Sequence, residues 1–409
     1  MKSVASVEYE LVCYGCGAVA VPGDTFVCGA CGEPMCIRSV RTPTGDTFAW
    51  PAESMWRYFD LLPVGSRDHV VTLHEGATPL IPAPRMAKAA GVGLLLLKNE
   101  TLNPTGSFKD RQVSGGISHA AEIGADTVAV VSSGNVACAA SAYAARAGMK
   151  AVLLMHGHAS PGKVVQAAAY GGHVVQVESP SAAAVFDLCI EACNRFGWYH
   201  LSTAGMYNPF NVEGAKTIAY ELYAQLGRDL VDWVVAPVGG GGLLGGIWRG
   251  FLDLERLGLI DRIPRLAGVQ AAGCAPLKKA VERGTAFLDT LKDPWPNPRT
   301  VAGGIADDIL FDGHSALPAI RRTNGAVAAV GDAAILAAQR LLAETEGVLC
   351  EPTSAVVPAA LAHIPFERGD RVCCVITGSG FKDLAGLQGR VAPPSRIRPS
   401  LDELERAVA

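Results

Sequence analysis

The stretch Trp233–Gly246, WVVAPVGGGGLLGG, decides the fold. Trp233–Ala236 is a short apolar run, the length of a buried strand and too brief for a helix. Pro237 and the glycines end it, and a helical stretch follows. Strand, glycine turn and helix in that order make a parallel-sheet unit, whose ligands sit at the carboxyl ends of the strands. Four glycines let backbone N–H groups wrap an oxyanion, and the helix that follows adds its dipole. Gly240-x-Gly242-x-x-Gly245 also meets the dinucleotide fingerprint, a weak signal alone. That fingerprint belongs after the first strand of a nucleotide-binding half, with an acid about 20 residues on. Here it lies deep in the chain and no such acid stands out. Gly239, Gly240, Gly241, Gly242 and Leu243 therefore read as a cup for a monophosphate.

The same alternation extends outward. Strand-like runs are Leu94–Leu97, Thr127–Val131, Ala151–Met155, His173–Val177, Leu266–Gln270 and Arg371–Ile376. Helical stretches lie near 111–123, 135–147, 162–170 and 181–196. Buried strands separated by helices imply α/β architecture with parallel sheets. A chain of 409 residues exceeds one compact core. Residues 41–100 with 205–395 are expected to form a large ligand-binding domain. Residues 101–204 would form a small mobile domain, and 396–409 a tail.

Residues 1–40 form a separate module. Cys13-x2-Cys16 and Cys28-x2-Cys31 each close with a glycine, Gly17 or Gly32, which permits a tight knuckle. Two knuckles supply four thiolates to one tetrahedral ion, the pattern of a structural zinc ribbon with no open coordination position. The other readings are an empty ribbon or redox thiols. Cys36 is a spare. Residues 41–75 read as a connector whose aromatics, Trp50, Trp56, Tyr58 and Phe59, pack the ribbon onto the body.

The formal net charge of -4 leaves no basic footprint for nucleic acid or a membrane surface. The N-terminus lacks a secretory pattern, and no apolar run reaches the roughly 20 residues of a membrane span. The expectation is a cytoplasmic enzyme with a small-molecule substrate.

Three more motifs carry chemistry. Asn103-Pro104-Thr105-Gly106-Ser107-Phe108-Lys109-Asp110-Arg111 places a lysine at a helix start, where partial positive charge lowers an amine pKa. Ser132-Ser133-Gly134-Asn135 opens another helix and would cradle a carboxylate, or simply cap the helix. Thr377-Gly378-Ser379-Gly380 closes the strand Arg371–Ile376 with small hydroxyls, or is a plain turn.

Together these motifs resemble fold-type II pyridoxal-5′-phosphate enzymes, a two-domain tryptophan synthase β-like fold. They are most like threonine synthase-like and threonine dehydratase relatives, some of which carry a four-cysteine ribbon. Asn208-Pro209-Phe210 with Glu213-Gly214, and Glu351-Pro352-Thr353-Ser354-Ala355, add to the likeness, which runs from about His74 to Asp383. The resemblance implies that Lys109 forms the Schiff base and that Gly239 to Leu243 hold the cofactor phosphate. Asn135 would meet the ring hydroxyl, Thr377 the pyridine nitrogen, and Phe108 the ring. Ser132, Ser133 and Gly134 would bind the substrate carboxylate. A homodimer is implied as well.

The chain departs from threonine synthase at the expected substrate-phosphate ligands. Asn211 replaces an arginine in the Asn208–Gly214 segment, Val136 replaces a hydroxyl residue, and the glycine loop replaces two amides. Asn208 and Asn211 remain expected substrate contacts, and Arg111 and Arg299 are arginines that could substitute. A buried dianion without a charged partner is costly. The sequence therefore points to a lyase acting by β-elimination or β-replacement on a hydroxy- or otherwise β-substituted amino acid. Threonine synthase and cysteate synthase-like chemistry are the enzymatic alternatives. A nicotinamide dehydrogenase or a non-catalytic zinc-ribbon scaffold is remoter.

Overall fold

Trp233–Pro237 is a strand at the centre of a six-stranded sheet in the computed structural model, which describes residues 9–21, 25–156, 160–179, 182–387, 390–391 and 393–408. In chain order the strands are β1 (Tyr9–Val12), β2 (Val19–Ala20), β3 (Cys36–Ser39), β4 (Leu80–Pro82), β5 (Leu94–Asn99), β6 (Thr127–Val131) and β7 (Lys150–His156). They continue with β8 (His173–Val177), β9 (Tyr199–His200), β10 (Trp233–Pro237), β11 (Arg265–Ala271), β12 (Ala326–Val330) and β13 (Arg371–Ile376). The large sheet has the order β12-β11-β10-β13-β5-β4, parallel except for β4. A second, all-parallel sheet has the order β8-β7-β6-β9. β1, β2 and β3 make a small antiparallel sheet.

Every residue of β10 is buried because helices cover both faces of its sheet. Side chains alternate between the faces. Val234 and Ala236 pack with Trp248, Phe251 and Leu244 of the helix Gly242–Arg256. Trp233 and Val235 pack with Val356 and Ile335 on the other side. The small sheet has its own core, in which Val128, Val130 and Leu153 meet the alanine-rich helix Asn135–Ala147.

The strands β5, β6, β7, β8, β10, β11 and β13 and the helices near 111–123, 135–147, 162–170 and 181–196 fall where the sequence places them, whereas the helices Gly313–Arg322 and Asp332–Glu346 had no such reading. β4, β9 and β12 are additions. β4 and β9 are too short to show a period, and β12 is a half-buried edge strand of alanine and valine. The connector differs from expectation. Tyr58 packs on Tyr220, and Trp56 donates its indole N–H to Ser114 at 2.9 Å, so these aromatics bind the body to itself. The ribbon rests instead on Phe210, whose ring meets Tyr9 and Phe26 edge-on, and on Trp248 through Tyr14. Lys216 adds a bond to the Ile37 carbonyl.

In the ribbon, the Sγ atoms of Cys13, Cys16, Cys28 and Cys31 all lie within 4.8 Å of one another. Gly17 and Gly32 have φ of 80° and 77°, where glycine is at ease, and their N–H groups bond to the carbonyls of Cys13 and Cys28. Cys36 is buried in β3, outside the cluster.

Among the described residues no helix is long and apolar enough to cross a membrane.

Candidate active site

A cavity of about 520 Å³ lies between the two parallel sheets, at the carboxyl ends of β6, β10 and β13. The phosphate-cup reading is tested by its glycines. A Cβ at Gly239 would collide with an Asp307 carboxylate oxygen, and one at Gly242 would lie 2.9 Å from an Asp312 oxygen. Gly241 has φ of 105°. No other residue type serves that turn without strain. The Gly240 N–H already donates to the Asp307 carboxylate at 2.7 Å, so the loop receives an oxyanion as built.

Lys109 reaches the cavity from the first residue of the helix Lys109–Glu122. The turn before it is pinned to β13: Phe108 N–H bonds to Thr377 O at 2.9 Å, and Ser379 N–H to Gly106 O at 2.9 Å. Gly106 makes the turn at φ 85°, and Asp110 reaches back to Thr105 N–H and Oγ1. The Lys109 ammonium bonds to Gln112 Oε1 at 3.0 Å and sits 4.7 Å from the centre of the Phe108 ring. Burial lowers its pKa to about 8, although Asp307 and Asp312 oppose that shift.

Ser132, Ser133, Gly134 and Asn135 line the facing wall at the start of the helix Asn135–Ala147. Asn135 Nδ2 donates to Glu351 Oε1 at 2.6 Å, and Glu351 Oε2 accepts from Lys163 Nζ at 2.8 Å. One carboxylate thus joins two residues near the small sheet to the large sheet. Asn135 Nδ2 keeps a second proton for a ligand. Thr377 lines the cavity, its hydroxyl oriented by Ser354 Oγ at 2.8 Å.

The cavity therefore gathers Phe108, Lys109, Ser132 to Asn135, Gly239 to Leu243 and Thr377. It does not gather Asn208 or Asn211, and those two expected substrate contacts are corrected. Asn208 caps the short helix Pro209–Val212 by accepting from the N–H groups of Phe210 and Asn211. Asn211 is fully buried and donates to the Ser202 carbonyl at 2.8 Å, behind the cavity wall. Arg111 and Arg299 do not line the cavity either, and among the described residues no arginine does.

The sequence reading missed Lys163, Asp307 and Asp312. Lys163 follows a Pro-Gly pair at a helix start, a local signal of the kind that drew attention to Lys109. The two acids sit in an aperiodic loop with no such mark.

Comparison with known proteins agrees with this geometry. The family described as pyridoxal-phosphate dependent enzyme matches residues 71–378. A threonine synthase of Methanocaldococcus jannaschii is 37% identical over 86% of this chain and 86% of its own length. That of Methanosarcina acetivorans is 34% identical over 98% of each. A solved threonine deaminase of T.th. superposes with a TM-score of 0.61 at 30% identity, covering 74% of this chain and 92% of that one. A maize serine racemase shares the fold, with a TM-score of 0.65 at 22% identity over 76% and 90%. The chain belongs to the pyridoxal-phosphate-dependent enzyme family, among the homologues of threonine synthase.

Proposed function

We propose that the chain is a lyase that eliminates or replaces the β-substituent of an amino acid lacking a phosphate group. One observation carries the choice of substrate: among the described residues no arginine lines the cavity, while Asp307 and Asp312 do. A phosphorylated side chain would meet carboxylates where it needs cations. The relatives' shared name supports threonine synthase as the second reading.

The glycine cup would hold the cofactor phosphate on its backbone N–H groups, and Lys109 would hold the cofactor covalently. Bound there, pyridoxal phosphate supplies an electron sink for the pair left at Cα when its proton departs. Lys109 is the base placed to take that proton and return it. Ser132, Ser133 and the N–H groups of their turn would fix the substrate carboxylate. Asn135, aligned by Glu351, would donate to the ring hydroxyl. Thr377 offers the pyridine nitrogen a hydroxyl in place of a carboxylate. Such a partner would leave the nitrogen largely unprotonated and would favour elimination over transamination. The four clustered cysteines would hold a zinc ion in a closed, structural site.

Turnover separates the two readings. O-phospho-L-homoserine, L-threonine and L-serine are supplied in parallel, and phosphate, threonine, 2-oxo acid and ammonia are measured. Release of 2-oxo acid and ammonia from a hydroxyamino acid is expected. Equal amounts of phosphate and threonine would establish the synthase instead.

Two further results are expected. Covalent uptake of pyridoxal phosphate by the cofactor-free protein should speed up with pH and level off above about 8, as Lys109 loses its proton. Absorbance followed after mixing checks this, and a rate that falls with pH would remove Lys109 from the role. Cys28→Ser should lose the one bound zinc and expose the ribbon to protease, since a structural zinc is worth about 10 kcal/mol of folding free energy in small ribbons. Metal analysis of the wild type, with digestion of both proteins, is the check. A metal-free wild type would end the assignment.

A further inference from the structure

The cavity has a charge imbalance that its catalytic residues leave unexplained. Its acidic lining residues are Asp307, Asp312, Glu351 and Asp383, and its basic ones are Lys109 and Lys163. Lys163 is committed to Glu351 at 2.8 Å. Asp312 is buried beside the glycine loop. It accepts from Gly205 N–H at 2.7 Å, and its own N–H bonds to the Gly240 carbonyl at 2.7 Å. Asp307 reaches the same loop through Gly240 N–H, and its carboxylate is open to the cavity. Among the described residues neither acid makes an ion pair, and Arg249 behind Asp312 is bonded to Glu213. Among the described residues the cation that acts on both acids is Lys109, with Arg249 also acting on Asp312, and burial raises the pKa of Asp312 to about 7 even so.

The wall beside them is aromatic. The rings of Phe186 and Phe311 line the cavity, their planes 15° apart with centroids 6.1 Å from each other. His200 lines it too, and burial lowers its pKa to about 4, so its ring is neutral at pH 7. Phe311 and Asp307 lie on the same side of the glycine loop, 3.4 Å and 3.5 Å from where a Gly240 Cβ would stand. Carboxylates next to aromatic faces attract an alkylammonium group through charge and through the ring quadrupoles.

We infer that the substrate carries a protonated amine on its side chain, a diamino acid in chemical class, and that Asp307 and Asp312 select it. This rests on the reading of the site given above. If Lys109 holds the cofactor covalently, its ammonium no longer balances the two acids, and a cofactor phosphate on the cup displaces Asp307 from Gly240 N–H. Both changes leave carboxylates in need of a cation. A side-chain ammonium would supply it and would leave as neutral ammonia once its bond to Cβ breaks, taking the bonding electron pair and keeping its three hydrogens, while the pair left at Cα by the proton that Lys109 takes forms the Cα–Cβ double bond.

Binding to the holoenzyme tests the inference, with L-2,3-diaminopropionate, L-2-aminobutyrate and O-phospho-L-homoserine as probes. Absorbance titration and calorimetry are run in parallel, and the same calorimetry is repeated on cofactor-free protein. The diamino acid should bind roughly tenfold or more tightly than aminobutyrate, the worth of a partly buried charged hydrogen bond. The ratio should fall towards one in Asp307→Asn with Asp312→Asn. A ratio near one in the wild type, a ratio untouched by the variants, or tighter binding of the phosphate ester would overturn it. Failure of the underlying reading shows differently. A protein that takes up no cofactor but keeps the calorimetric preference overturns the cofactor assignment and upholds the charge selection. A yellow protein without the preference does the reverse.

Discussion

Lys109→Ala should yield a folded protein that takes up no covalent cofactor and has lost turnover by roughly ten-thousand-fold or more. The size follows from the role, because the side chain would be both the covalent anchor and the proton carrier at Cα, and acid–base catalysis alone is worth about 10²–10⁴. Folding should survive because the wild-type lysine is held at a cost. Its pKa is lowered to about 8 from 10.5 by burial, so at neutral pH the folded state keeps an ammonium that is costlier there than in water. The stabilising neutral form is present above the unfolded pKa and fades as pH falls through about 8, so alanine removes an unfavourable charge at pH 7. The loss of charge balance at Asp307 and Asp312 offsets part of that gain. Borohydride bleaching of the wild type, absent from the variant, is the direct measurement. A variant that is yellow and bleaches would transfer the role to another amine, of which Lys163 is the one other lysine lining the cavity among the described residues.

The sequence was most legible where local chemistry and global fold agree. Trp233–Ala236 reads as a buried strand because its valines suit one, and the glycines after it can only be a turn; the fold uses both as read. Lys109, Asn135 and Thr377 were legible because each lies at a junction where a turn leaves a strand or opens a helix, and parallel sheets bring those junctions together. Asn211 misled because its position in a motif says nothing of where its side chain points. The helix that carries it turns it to the Ser202 carbonyl. Asp307 and Asp312 escaped notice for the opposite reason. They have no motif and owe their place to a loop folding over the glycine cup, a tertiary event with no local period. The aromatic connector failed similarly, since apolar side chains declare burial and not the identity of the surface that buries them.

Arg111 follows Lys109 by two residues, and Arg111→Met is the substitution expected to damage stability most. The guanidinium is fully buried and bonds to both Glu100 oxygens, at 2.7 and 2.8 Å, and to both Glu221 oxygens, at 2.6 and 2.8 Å. Lys98 joins Glu221 at 2.6 Å, and Glu221 also receives the N–H groups of Ala77 and Thr78. The network fastens the catalytic helix to β5, to the helix Thr217–Leu226 and to the segment before β4. Methionine would fill much of the volume but leave two buried carboxylates with one cation. Breaking such a network costs about 3–5 kcal/mol, a large part of the 5–15 kcal/mol typical of a folded domain. Its pH dependence identifies the cause. Burial alone would raise the Glu221 pKa, but Arg111 and Lys98 pull it down to about 2, so in the wild type this carboxylate stabilises above its unfolded pKa and ceases to as pH falls through about 2. In the variant Glu221, left with Lys98 alone against its burial, should titrate above its unfolded value, and its contribution is then lost as pH rises. The deficit should therefore be largest at neutral pH and shrink towards about pH 5. Urea unfolding of both proteins at the two pH values measures it. A deficit that does not change with pH would mean that the lost packing of Arg111, and not its charge, holds this helix in place.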